Sequence, residues 1–145
     1  MAKLEKSTTI NAPVEKIFDF WSEGTRLPEI WPSFVEMKGV QPLPNGGHSF
    51  RWVYRMAGMR FKGTGEDIEY VPNQRIVTKN KGGIERIITC MFQPEAGGTK
   101  VTLETEYSLP IPLLGKLAEA FIVKANEHET ELVLANLKAR MEAED

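Results

Sequence analysis

The stretch "SFRWVYRMAGMRFKGTG", residues 49–65, decides the fold of this chain. Large apolar residues alternate with charged ones on both sides of Ala57-Gly58. A period of two marks a half-buried strand, and two such runs around a short glycine-containing break mark a β-hairpin. With Ala57 and Gly58 as the loop, Met56 faces Met59, Tyr54 faces Phe61, Trp52 faces Gly63 and Phe50 faces Gly65. All of these side chains share one face, because strand side chains alternate. The other face carries Arg51, Val53 and Arg55 against Thr64, Lys62 and Arg60. One side of the hairpin is therefore aromatic, and the other is basic and wet. The glycines stand opposite the largest rings and leave them room. Gly65 also suggests a bulge, and the bend is expected to bring Ile68 to the inner face.

Outward from this hairpin the strand pattern runs from Phe34 to about Leu109, broken at "PLPNGG", "VPNQ", "NKGG" and "PEAGG". These breaks predict an antiparallel meander of six strands. Ile88, Cys90 and Phe92 share one face, as do Val101, Leu103, Thr105 and Tyr107, and both sets are assigned inward. Ahead of the meander, residues 3–10 form a strand. "NAPVEKIFDFW" then changes period, with Val14, Ile17, Phe18 and Trp21 at helical spacing. Pro13 suits the first helical position, and Glu15 can reach back toward the helix start. "SEGTRLPEIWPSF" allows only a short second helix. The chain ends in one long helix. On it Leu114, Leu117, Phe121, Ala125 and Leu132 make one stripe, and Val123, Thr130, Leu134, Leu137 and Met141 a second on roughly the opposite side. Two stripes predict a helix clamped between the sheet and the N-terminal helices behind it. Its start, "PIPLLGKLAEAFIVK" (110–124), is apolar on most of its circumference.

The order of "TTINAPVEKIFDFW", "IEYVPNQRIV" and "GGTKVTLETEY" before a long last helix resembles the START-like polyketide cyclase/dehydrase (SRPBCC) superfamily. The likeness covers nearly the whole chain. It implies one α+β domain over residues 1–145 with the helix-grip fold, β-α-α-β6-α. In that fold a curved seven-stranded antiparallel sheet wraps round the C-terminal helix. The resemblance also implies a cavity between sheet and helix that holds a lipid, sterol, quinone or polyketide-like molecule. The residues expected to line it are Phe50, Trp52, Tyr54, Phe61, Ile88, Cys90, Leu103, Leu114, Leu117 and Phe121. Members of the superfamily share a fold rather than a reaction. Binding or carriage of a small hydrophobic ligand is the first expectation. A cyclase or dehydratase acting on a polyketide-like substrate, or a non-catalytic protein-interaction module, are the alternatives.

Composition narrows the chemistry. The net charge of −2 argues against a nucleic-acid-binding surface as the main function. Cys90 is the only cysteine, so an internal disulfide is impossible and a cysteine-based metal site has no partners. In "NEHETEL" Leu132 stands where a zinc helix needs its second histidine. No metal and no cofactor are expected. "MAKLEKSTTI" lacks the apolar core of a signal peptide, and no apolar run reaches the length of a membrane span. A cytoplasmic protein is the default expectation. No catalytic residue is assigned. Tyr54 is the best inward polar group, while parity places Arg51 and Arg55 on the solvated side. His128 lies between the two helix stripes, where a buried, hydrogen-bonded histidine is expected. His48 is expected to be exposed, Cys90 to be a small core residue, and Trp31 to cap the cavity or plug the core.

Overall fold

The computed structural model describes residues 2–56, 58–82, 85–108 and 115–143; the side chains of residues 2, 56, 108, 115–119, 121 and 122 are outside that description. The elements follow in the order β1 (Ala2–Ile10), α1 (Val14–Ser22), a 3-10 turn (Leu27–Glu29), β2 (Phe34–Pro42), β3 (His48–Met56), β4 (Met59–Val71), β5 (Arg75–Gly82), β6 (Glu85–Glu95), β7 (Gly98–Ser108) and α2 (Gly115–Ala143). The strands form one antiparallel sheet in the order β1-β7-β6-β5-β4-β3-β2. The segment from α1 to the 3-10 turn carries the chain from one edge of the sheet to the other. This is the helix-grip architecture, as the order of elements predicts.

The β3–β4 hairpin has the expected register, with Tyr54 opposite Phe61, Trp52 opposite Gly63 and Phe50 opposite Gly65. Its glycines are notches for rings. A Cβ on Gly63 would lie 2.4 Å from Trp52 Cζ2 and 2.2 Å from the Lys81 carbonyl oxygen, and one on Gly65 would lie 2.4 Å from Phe50 Cε2. Such approaches are closer than carbon contacts allow, so both sites exclude any side chain.

The bend falls later than expected. Asp67 pairs with Thr78 and Glu69 with Val77, which makes Ile68 the extra residue of a bulge. Ile68 is 49% exposed, correcting the expectation that it turns inward. The extra residue instead resets the alternation so that Tyr70 returns to the inner face, where it meets Phe18 edge-on at 5.3 Å. Asp67 stays inside, accepting hydrogen bonds from the His48 backbone N–H at 2.9 Å and the Thr78 hydroxyl at 2.8 Å.

The helices also depart from expectation. Pro13 is the N-cap of α1 rather than its first residue, and no side chain among the described residues caps that helix. On α2, Thr130, Val133, Leu134, Leu137 and Met141 form one buried stripe, whereas Leu132 is 39% exposed and Ala125 is exposed. The stripe that includes Ala125 and Leu132 is uncovered at those two residues, because the N-terminal helical segment lies beside α2, not behind it. Lys16 Nζ donates to the Met141 carbonyl (2.9 Å), Asn136 Nδ2 to the Ile30 carbonyl (3.0 Å), and Arg140 pairs with Glu29 at 2.8 Å. Phe18 of α1 packs on Phe92 of β6 with ring centroids 5.2 Å apart. Both helices thus seal the same concave face. Burying each large apolar side chain there stabilises the fold by about 1.5–3 kcal/mol.

Candidate functional site

The concave wall contains a buried arginine. Arg86 on β6 has the same parity as Ile88, Cys90 and Phe92, and it is 6% exposed. Its guanidinium carbon lies 4.2 Å from the ring centroid of Tyr54, 5.4 Å from that of Phe34 and 5.6 Å from that of Trp31. These are cation–π distances, and the three rings screen the charge from water. Arg86 Nη1 donates to the Tyr54 hydroxyl oxygen at 3.2 Å. No carboxylate comes within 4.0 Å of its guanidinium among the described residues.

Tyr54 passes this network on. Its hydroxyl donates to Glu129 Oε1 on α2. The same oxygen accepts from Trp31 Nε1 at 2.8 Å, and Glu129 Oε2 accepts from the Ser33 hydroxyl. Trp31, Ser33 and Phe34 leave one tight turn, closed by the Phe34 N–H bonding to the Trp31 carbonyl at 3.0 Å. Strand β3, strand β6, helix α2 and this turn therefore meet at one phenol. Burial raises the Tyr54 pKa above its ordinary value; Arg86 opposes the shift and Glu129 adds to it. Tyr54 is accordingly a neutral proton donor at pH 7, not a tyrosinate.

Beside this cluster lies a small cavity of about 30 Å³, bordered by Trp21, Trp31, Phe34, Phe50, Asn80 and Ile88 among others. That volume holds about one water, so a larger guest requires side chains of the wall to move. Polar atoms of the wall remain unsatisfied. Asn80 is 2% exposed, and among the described residues its Oδ1 has no hydrogen-bond partner; the buried Trp52 Nε1 has none there either. At the far side of the cavity burial raises the pKa of Asp67, against the lowering effect of its bonds from His48 and Thr78.

Of the residues expected to line a site, Phe50, Trp52, Tyr54, Ile88, Cys90 and Leu103 are buried on the concave side, and Phe61 is half-buried against the core. Leu114 lies outside the described residues, as do the side chains of Leu117 and Phe121. Arg51 and Arg55 are exposed. His48 is half-buried rather than exposed. His128 is exposed, which corrects the expectation of a buried histidine. Two residues from buried Thr130, it falls on the opposite side of the helix. Trp31 is 2% exposed and plugs the core. Arg86 and Glu129 are the residues that sequence reasoning missed. Alternation back from Ile88 would have found the first. Glu129 stands four residues before buried Val133, a polar residue on a buried helical face. Among the described residues no three His, Cys, Asp or Glu side chains are grouped to hold a metal.

Comparison with known proteins agrees with this architecture. A family model described as "Polyketide cyclase / dehydrase and lipid transport" matches residues 1–142. The chain belongs to that family. The fold of this polyketide cyclase/dehydrase-family chain resembles a Thermus thermophilus protein (24% identity, 98% of each chain, TM-score 0.77). It is also similar to a START superfamily protein from Mycobacterium smegmatis (14% identity, 94% of this chain and 97% of that one, TM-score 0.76). A Streptomyces aromatase/cyclase is a third neighbour (14% identity, 97% and 93%, TM-score 0.79). No curated protein matches the sequence. No helix among the described residues is long and apolar enough to cross a membrane.

Proposed function

We propose that this chain binds a small hydrophobic molecule against the concave wall, with the polar end of that molecule at Arg86 and Tyr54. The observation that carries this is the convergence of Arg86, Tyr54 and Glu129 within a wall that is otherwise aromatic and aliphatic. Ligand sites are mostly apolar, with a few placed polar groups that fix orientation. The family description, which spans lipid transport, supports the same role. Native mass spectrometry and solvent extraction of the purified protein test it, followed by tryptophan fluorescence titrations with fatty acids, sterols, quinones and aromatic polyketides. Binding quenches or shifts Trp31 and Trp52 emission, and Tyr54→Phe weakens it. No co-purifying molecule and no fluorescence response to any compound defeats the proposal and favours a protein-interaction module.

A second reading has its own observation. A phenol held between a guanidinium and a carboxylate is equipped for acid–base work, and an aromatase/cyclase shares this fold. In a dehydration, Glu129 takes the proton from the carbon next to a ketone and Arg86 steadies the enolate oxygen. Tyr54 protonates the departing hydroxyl, which leaves as water. The proton on Glu129 then returns to Tyr54 along their hydrogen bond. Here Tyr54→Phe abolishes water loss from a β-hydroxy ketone while the ketone still binds.

A further inference from the structure

We infer, building on that binding role, that the ligand is an anion: an apolar molecule ending in a carboxylate, which Arg86 grips. The guanidinium is always charged at accessible pH and offers five N–H donors in a planar fork. Among the described residues it makes one hydrogen bond, to Tyr54, and it is 6% exposed. Rings of Trp31, Phe34 and Tyr54 surround it. They shield it from most water, and apart from the Tyr54 hydroxyl oxygen they supply no acceptor.

The acid nearest through hydrogen bonds, Glu129, is one phenol away, and both its oxygens already serve other donors: Trp31, Ser33 and Tyr54. Glu129 therefore does not fill the open donors of Arg86. A buried charge lacking a partner is unfavourable, and the residue that completes it must bring negative charge and acceptor oxygens. A carboxylate brings both, in the two-point geometry that a guanidinium matches. A buried ion pair of this kind also selects: an alcohol or ester of the same skeleton leaves the charge unpaired. Trp52 Nε1, on the ring 6.4 Å from Tyr54, is a further buried donor on the same face with no partner among the described residues, and it too favours an acceptor-rich head.

The test compares matched pairs by calorimetry and tryptophan fluorescence: dodecanoate with dodecanol and methyl dodecanoate, 2-naphthoate with 2-naphthalenemethanol, and a bile acid with its alcohol. Each carboxylate is expected to bind roughly 100-fold more tightly than its neutral counterpart. Arg86→Met should abolish that preference while leaving the alcohols bound, and Arg86→Lys should keep part of it, since charge remains without the fork. In wild-type protein, affinity for a carboxylate should fall as the pH drops through the pKa of the ligand. The alcohol titration controls for Tyr54 and Glu129, the titratable groups that face Arg86 among the described residues. This measurement stands even if the Arg86 variants fail to fold. Equal binding of carboxylates and alcohols overturns the anion and leaves the binding role intact. A preference that survives Arg86→Met in a folded variant moves the anion site elsewhere and also overturns it. If no member of any pair binds, both fall.

Discussion

Arg86 and Arg51 lie in the same sheet and point to opposite sides of it. Arg51 on β3 is exposed, and across the sheet its row holds Lys38 and Thr64. Arg86 on β6 is enclosed by three rings. The chemistry of the side chain is the same; the parity of its position separates a solvated cation from a desolvated one. On the convex face Arg55 and Arg60 stand directly opposite each other. Water and salt screen such a pair, so it costs little. On the concave face every polar atom has to find a partner or wait for one. The comparison teaches that, on the proposed binding role, the functional weight of this sheet lies in the few polar residues that face inward.

The strongest blow to that contrast is the loss of a concave ring. Trp52→Ala should cost about 3–5 kcal/mol in chemical denaturation, because the indole fills the notch over Gly63 and a cavity is left behind. A harmless Trp52→Ala would mean that the wall is not packed. Tyr54→Phe comes next. It removes the link between Arg86 and Glu129 and should cost about 1–3 kcal/mol, as when a buried hydrogen-bonding group loses its partner. A neutral result would show that the network adds nothing to stability.

Asp67 sharpens the comparison through pH. Burial holds its folded pKa above the unfolded value, so the folded state binds that proton more tightly. Its contribution to stability is complete below the unfolded carboxylate value and is lost as pH rises through the folded one. Measured from neutral pH down to about pH 4, wild type should therefore gain stability relative to Asp67→Asn. A difference that stays flat with pH would place the carboxyl in water. The smallest effect belongs to the convex side. Arg51→Ala should change stability by no more than about 0.5 kcal/mol, and a larger loss would break the contrast between the two faces.

The hairpin was legible because a two-residue loop leaves one register, and one register assigns every side chain to a face. The same alternation would have exposed Arg86, whose place before Ile88, Cys90 and Phe92 is visible in "RIITCMF". The bulge was not legible. Its position is set by Asp67, whose bonds to the His48 backbone and to Thr78 hold it inside, and those join three strands that only the folded sheet brings together. Likewise Glu129 shows its role only beside Trp31, Ser33 and Tyr54, each more than 70 residues away in the chain. The stripe of α2 that includes Leu132 misled because an apolar residue on a helix records compatibility with burial, not its occurrence; Leu132 remains in solvent.

Cys90 sits at the centre of β6 with no exposed surface, and burial raises its thiol pKa well above the ordinary value. As the single cysteine of the chain, it is a built-in clock for opening of the sheet. A soluble alkylating reagent reaches a thiolate there only in molecules whose β6 has parted from its neighbours, so each labelled molecule records one excursion. At low reagent the labelling rate reports the free energy of opening, and at high reagent it reports the opening rate itself. One mass increment per chain leaves no ambiguity about which site reacted. A guest that seals the concave wall would slow this clock, and the slowing would measure its affinity without any label on the guest.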